Sequence, residues 1–109
     1  MSGVKEFESL LEEEGYDLIS MGVNGKALRQ ATALRAVEIL EKNKIPILGG
    51  DILVIKNNTI DYTYDNWDCD EEDFSEYEDY LQKSWAISRK YIHLFEDKDD
   101  AIYLYQIVI

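Results

Sequence analysis

One cysteine, one proline and one histidine are all the chain contains of those residues, and each scarcity removes a class of function. A lone Cys69 forbids an intrachain disulfide. Neither Cys69 nor His93 belongs to a motif that would supply a general base and a group to orient it, so nucleophilic catalysis lacks its parts. No phosphate-cradling loop is present, because Gly49-Gly50 is followed by no lysine and opens no helix. Long apolar runs are missing too: none approaches the ~20 residues a bilayer-spanning helix needs. The start, MSGVKEFE, carries neither the basic nor the apolar region of a secretory signal, so a cytoplasmic location is expected. Positive charge is the last shortage, with 11 Lys and Arg against 23 Asp and Glu and a net charge of −12. The basic residues are spread from Lys5 to Lys98, which disfavours nucleic acid and anionic membrane as direct ligands.

What the chain does have is a dense acid run. Over residues 61–79 the acids are Asp61, Asp65, Asp68, Asp70, Glu71, Glu72, Asp73, Glu76, Glu78 and Asp79, with no Lys or Arg among them. Tyr62, Tyr64, Trp67, Phe74 and Tyr77 are interleaved. Charge steers a partner and aromatic rings anchor it, so the combination reads as a binding surface for a basic protein. The opposing reading is a solvated loop, with Trp67 in the core and Tyr62 and Tyr64 on one face of a strand. Residues 65–73 hold enough oxygen ligands for a calcium ion, yet the EF-hand glycine is absent: registered from Asp68 its place is taken by Asp73. No cofactor and no resident metal are expected, and enzyme activity is not expected. Cys69 among acids should have a raised pKa and low reactivity, and His93 should lie at the margin of the core on a helix.

At 109 residues, 46% of them hydrophobic, the chain is expected to form one folded domain over residues 1–109. Ser2 caps a first helix over residues 4–13, where Val4, Phe7, Leu10 and Leu11 recur at helical spacing. Residues 16–21 read as a short extended piece before a turn at Gly22 and Asn24-Gly25. A strong amphipathic pattern predicts a helix over residues 27–42, ended by Lys42, Lys44 and Pro46. Residues 45–56 and 59–64 flank Asn57-Asn58 as a hairpin, with Gly49-Gly50 marking a bulge or the close approach of another backbone. A third helix is predicted over residues 74–95, capped by Asp73 or Ser75, and a strand apolar on both faces over residues 101–109. The outcome is an α+β fold: a small, mainly antiparallel sheet of three or four strands with about three helices packed on it.

The Ile45-Pro46-Ile47-Leu48-Gly49-Gly50-Asp51 segment after an amphipathic helix, and Tyr64-Asp65-Asn66-Trp67 followed by Cys69, acids and a Trp-bearing helix, carry a resemblance. From about Gly22 to Tyr91 the chain resembles the immunity protein forty family of bacterial polymorphic toxin systems. The resemblance implies a cytoplasmic protein that binds and neutralises a cognate toxin domain stoichiometrically, without catalytic residues. Where such toxins are nucleases, carboxylates presented in place of phosphates would suit the role. The expected contact surface is Tyr64, Asp65, Trp67, Asp68, Asp70, Glu71, Glu72, Asp73 and Glu76. On this reading Gly49, Gly50 and Asp51 shape a strand bulge and belong to structure. An acidic adaptor docking on a basic host protein, or a divalent-ion module on residues 65–73, are the competing readings. Oligomeric state is open.

Overall fold

Apolar stripes on three helices and the apolar residues of five strands meet in two layers, in a computed structural model that describes residues 3–109. In chain order the elements are α1 (Gly3–Glu14), β1 (Tyr16–Asp17), β2 (Lys26–Arg29), α2 (Gln30–Lys42), β3 (Gly49–Lys56), β4 (Thr59–Asp68), α3 (Tyr77–Leu94) and β5 (Ile102–Val108). The strands form one sheet in the order β1-β2-β5-β3-β4, and every pairing is antiparallel. The α+β class is therefore as expected, with five strands in place of three or four. The Ser2 cap expected for α1 lies outside the described residues.

The additional strands come from places where local pattern is silent. Of β2, Lys26–Arg29, the last three residues are expected from sequence to open the second helix, because Leu28 fits the helical stripe. Instead Leu28 and Arg29 pair with Tyr105 and Leu104 of β5, and Ala27 pairs with Tyr16 of β1. Pairing with β5 on one side and β1 on the other gives these four residues backbone hydrogen bonds that outweigh one more helical turn. Arg29 then pins the strand-to-helix junction through an ion pair with Asp97 at 2.9 Å. Asp97 also accepts a hydrogen bond from the Tyr103 amide at 2.8 Å, which fixes the start of β5.

The hairpin is as its turn residues dictate. Asn57 and Asn58 both adopt positive φ, 51° and 61°, the condition of a two-residue turn whose twist matches the flanking strands. β4 runs on past the expected end at residue 64 to Asp68, so the front of the acid run is strand. The register with β3 breaks between Asp51 and Leu53: Asp51 faces Asn66, whereas Leu53 faces Tyr62. Thr63, Tyr64 and Asp65 thus oppose Ile52 alone, and the bulge lies in β4. Gly49 and Gly50 sit instead in the regular ladder at the centre of the sheet, as does Asp51. Their role is the close approach that the glycine pair allowed as its other meaning.

Helices cover one face only. Phe7 and Leu10 of α1, Ala33, Ala36, Val37 and Leu40 of α2, and Leu81, Trp85 and Ile92 of α3 pack on Leu28, Ile52, Trp67, Tyr105 and Ile107. Each large aliphatic side chain so buried contributes about 1.5–3 kcal/mol. On the opposite face a second cluster of Leu18, Ala27, Leu53 and Leu104 is roofed by Met21 and Val23, so residues 18–25 cover that end of the sheet with a single 3₁₀ turn at Ile19–Met21 and no α-helix. Gly22, at φ 75°, makes the reversal that a side chain would hinder. α3 begins at Tyr77 behind Glu76, which makes no side-chain cap, so neither Asp73 nor Ser75 starts it. Its other end is tied down by Gln30, whose Nε2 donates to the carbonyls of Ile92 and Phe95 at 3.0 and 3.1 Å.

One core group is out of balance. The Tyr105 hydroxyl is fully buried and has no hydrogen-bond partner among the described residues. Burial pushes its pKa up to about 12, so an unfolded chain releases a proton near pH ~10 that the folded chain keeps. Tyr105 consequently lowers stability as pH rises from ~10 toward 12 and has no such effect below that window. Tyr105→Phe is expected to raise unfolding free energy at pH 7 by about 1 kcal/mol and to flatten its alkaline fall, measured by urea denaturation at several pH values.

Candidate partner-binding surface

The acid run divides into a strand part and a turn part, and Trp67 roots the first in the core. Trp67 is 4% exposed and therefore cannot belong to the contact surface expected from sequence. Alternation along β4 sends its side chain to the helix face, while Asn66 and Asp68 point the other way. Its indole lies over Gly50: a Cβ there would stand 2.3 Å from Trp67 Cη2 and 2.5 Å from Cζ2. Gly49 is needed equally, because a Cβ would come within 2.3 Å of the Trp67 carbonyl oxygen. The ring stacks on Tyr91 with centroids 5.8 Å apart and planes at 15°. Its Nε1 donates to Ser88 Oγ at 3.0 Å, and Ser88 Oγ donates in turn to the Ser84 carbonyl at 2.7 Å.

The same helix holds the approach to β3. Ser84 Oγ accepts from the Ile47 amide at 3.2 Å, and Trp85 Nε1 donates to the Ile45 carbonyl at 2.8 Å. Both tryptophan N–H groups are thus satisfied inside the core, and both serines are buried because they have work there. The sequence signal for this was available in hindsight: two serines four residues apart on the apolar stripe of a helix.

The remaining expected residues are all exposed. Tyr64, Asp65 and Asp68 lie on the edge strand β4; Asp70, Glu71, Glu72 and Asp73 form a single turn of 3₁₀ helix with its cap; Glu76 precedes α3. Asp70 caps that turn by accepting from the Glu72 amide at 3.0 Å. Glu76, Glu78 and Asp79 stand at the N-terminal end of α3, where the helix dipole favours negative charge. Among the described residues no group of carboxylate, imidazole and thiol ligands is gathered to hold a metal ion, so the acids are spread as a surface. Cys69 is buried beside them; burial first, then Asp73, Asp68 and Asp70, push its thiol pKa up. His93 is exposed on the last turn of α3 rather than at the core margin.

Tyr64 is the strained point. It takes φ 67°, unusual for an aromatic residue, and its side chain is 86% exposed. Thr63 holds this bulge: its Oγ1 donates to the Ile52 carbonyl at 2.7 Å and accepts from the Asp65 amide at 3.1 Å. The Tyr64 ring is consequently brought to 6.1 Å from that of Tyr62. Tyr62, noted among the interleaved aromatics, and Thr63 lie outside the contact surface expected from sequence, because a bulge has no signature in this stretch.

A family model described as Immunity protein 40 matches residues 17–109, which takes in every strand but the first residue of β1. The chain belongs to the Immunity protein 40 family. The match extends further than the resemblance noted from about Gly22 to Tyr91, since it includes β5. No curated protein and no solved structure gives a significant match. No helix among the described residues is long and apolar enough to cross a membrane.

Because the indole occupies the space over Gly50, Gly50→Ala should displace Trp67 and loosen β4 from α3. A loss of about 1–3 kcal/mol in unfolding free energy, with a red shift of tryptophan emission, is the expected outcome in urea titrations followed by fluorescence.

Proposed function

We propose that this chain is a cytoplasmic immunity protein that binds a cognate, basic bacterial toxin domain and neutralises it by stoichiometric inhibition, not by catalysis. The observation that carries the reading is the family match over residues 17–109. The exposed acids support it: Asp65, Asp68, Asp70, Glu71, Glu72, Asp73 and Glu76 face solvent on one continuous stretch of chain. Such a surface attracts a basic partner and accelerates encounter. A nuclease suits the role, since a site that binds phosphates is lined with cations that carboxylates can occupy in their place.

In this reading Tyr64 supplies apolar contact area and the acids set association rate and salt dependence. Trp67 acts from beneath, keeping β4 and the turn at residues 70–73 in fixed relation to α3. Nucleic acid and membrane are not partners, and no cofactor is needed.

Co-expression with the toxin domain encoded beside the gene tests the reading: growth should be rescued and the two proteins should co-purify. The triple variant Asp70→Lys, Glu71→Lys, Asp73→Lys should keep its fold by circular dichroism. Its association with the toxin should slow by about tenfold or more at low salt, measured by surface plasmon resonance, with a weaker effect at high salt.

A further inference from the structure

The face of the sheet that carries no helix is only half covered. Leu53 and Leu104 lie beneath residues 18–25, whereas the rungs beyond them, Asp51 with Gln106 and Asn66, then Gly49 with Val108 and Asp68, are not part of that cluster. At the border stands a cavity of about 250 Å³ lined by Asp51, Ile52, Tyr62, Tyr64, Asp65 and Asn66. Register places Tyr62, Asp51 and Asn66 on this open face, since Tyr62 pairs with Leu53 and Asn66 with Asp51. The Tyr64 ring joins them because the bulge turns it toward Tyr62, 6.1 Å between centroids.

The chemistry of the lining selects its occupant. The lining brings together Asp51, Asp65 and Asn66, residue types that carry hydrogen-bond acceptors, with Tyr62, Tyr64 and Ile52, and no lysine or arginine is among them. The chain as a whole carries −12. A planar cation satisfies every part, because a guanidinium stacks on aromatic rings and donates in a fork to carboxylates, which an ammonium does not do as well. A bare metal ion would leave the rings unused.

We propose that this cavity is the anchor point of the interface, a socket that receives an arginine side chain of the basic partner between the Tyr62 and Tyr64 rings and the Asp51 and Asp65 carboxylates. This rests on the reading of the chain as a binder of a basic toxin. It adds Asp51 and Tyr62 to the contact surface and assigns the bulge at Tyr64 a purpose, with Thr63 as a positioning residue.

Two probes separate the socket from the wider function. The first is NMR titration of the intact chain with the tripeptide Gly-Arg-Gly against Gly-citrulline-Gly, whose side chain has the same shape without charge. Saturable shifts at the Tyr62 and Tyr64 rings and at the Asn66 amide are expected with arginine, and binding about tenfold weaker with citrulline or with Asp51→Asn. Equal response to both tripeptides, or shifts confined to Asp70, Glu71 and Asp73, would overturn the proposal. The second probe is the adjacent-gene toxin domain, captured by wild type, Asp51→Asn and Tyr64→Gly. Tyr64→Gly removes the ring and suits the positive φ, so it keeps the fold. Dissociation about tenfold faster in both variants supports the socket. Unchanged dissociation sinks it and leaves the immunity reading standing. No complex with wild type sinks the immunity reading instead, and the tripeptides then decide alone whether this face takes a guanidinium. A dimer of the chain that Asp51→Asn dissociates would give the socket to a second copy and overturn the proposal.

Discussion

The seating of Trp67 is the constraint on which the rest depends. An edge strand has one neighbour and would otherwise be held by a single ladder, yet β4 must carry the front of a run of mutually repelling acids. The indole solves this by reaching across the glycine at position 50 to α3, where Ser88 accepts its N–H and Tyr91 stacks on its ring. A large apolar side chain with one polar handle is suited to that position, because burial supplies the energy and the hydrogen bond supplies the orientation. Gly49 and Gly50 belong to the same device, since without them β3 and β4 could not bring the ring to the helix.

Once β4 is pinned, charge and anchor separate cleanly. The turn at Glu71–Asp73 leads from the strand to α3 and stays in solvent, while Glu76, Glu78 and Asp79 at the start of α3 are balanced in part by the helix dipole. The bulge at residues 63–65 breaks the edge ladder, which blunts strand-to-strand aggregation and at the same time lifts Tyr64 beside Tyr62. Strain at Tyr64 is tolerated because Thr63 makes hydrogen bonds on both sides of it. A family that binds other proteins needs such rigid presentation, because flexible acids attract a basic surface without specifying how it docks.

Much of the architecture was legible because local patterns were undisturbed. The stripe of Phe7 and Leu10, the asparagine pair at the hairpin and the two-sided apolar character of β5 each express one physical rule, and β5 does lie between β2 and β3. β2 was not legible, since four residues show no period and Leu28 fits a helix as well as a strand. The extension of β4 through Asp68 was missed for a different reason: acids and asparagine have low strand propensity, and only pairing with β3 makes them extended. Along the chain Trp67 fits the surface with its acidic neighbours and the core alike, because period-two alternation cannot be applied until a segment is known to be strand.

By itself, then, the sequence determined the class of the fold, the strong negative charge, and the family to which the chain belongs, because composition and local periodicity act over a few residues and survive without knowledge of neighbours. Only the tertiary structure decided which aromatics are exposed and which are core. Tyr62, Tyr64 and Trp67 are equivalent along the chain, and what separates them is a bulge opposite Ile52 and a glycine opposite Trp67. Both are facts about the partner strand, set by pairing between residues nine to seventeen positions apart, and no short-range rule contains them.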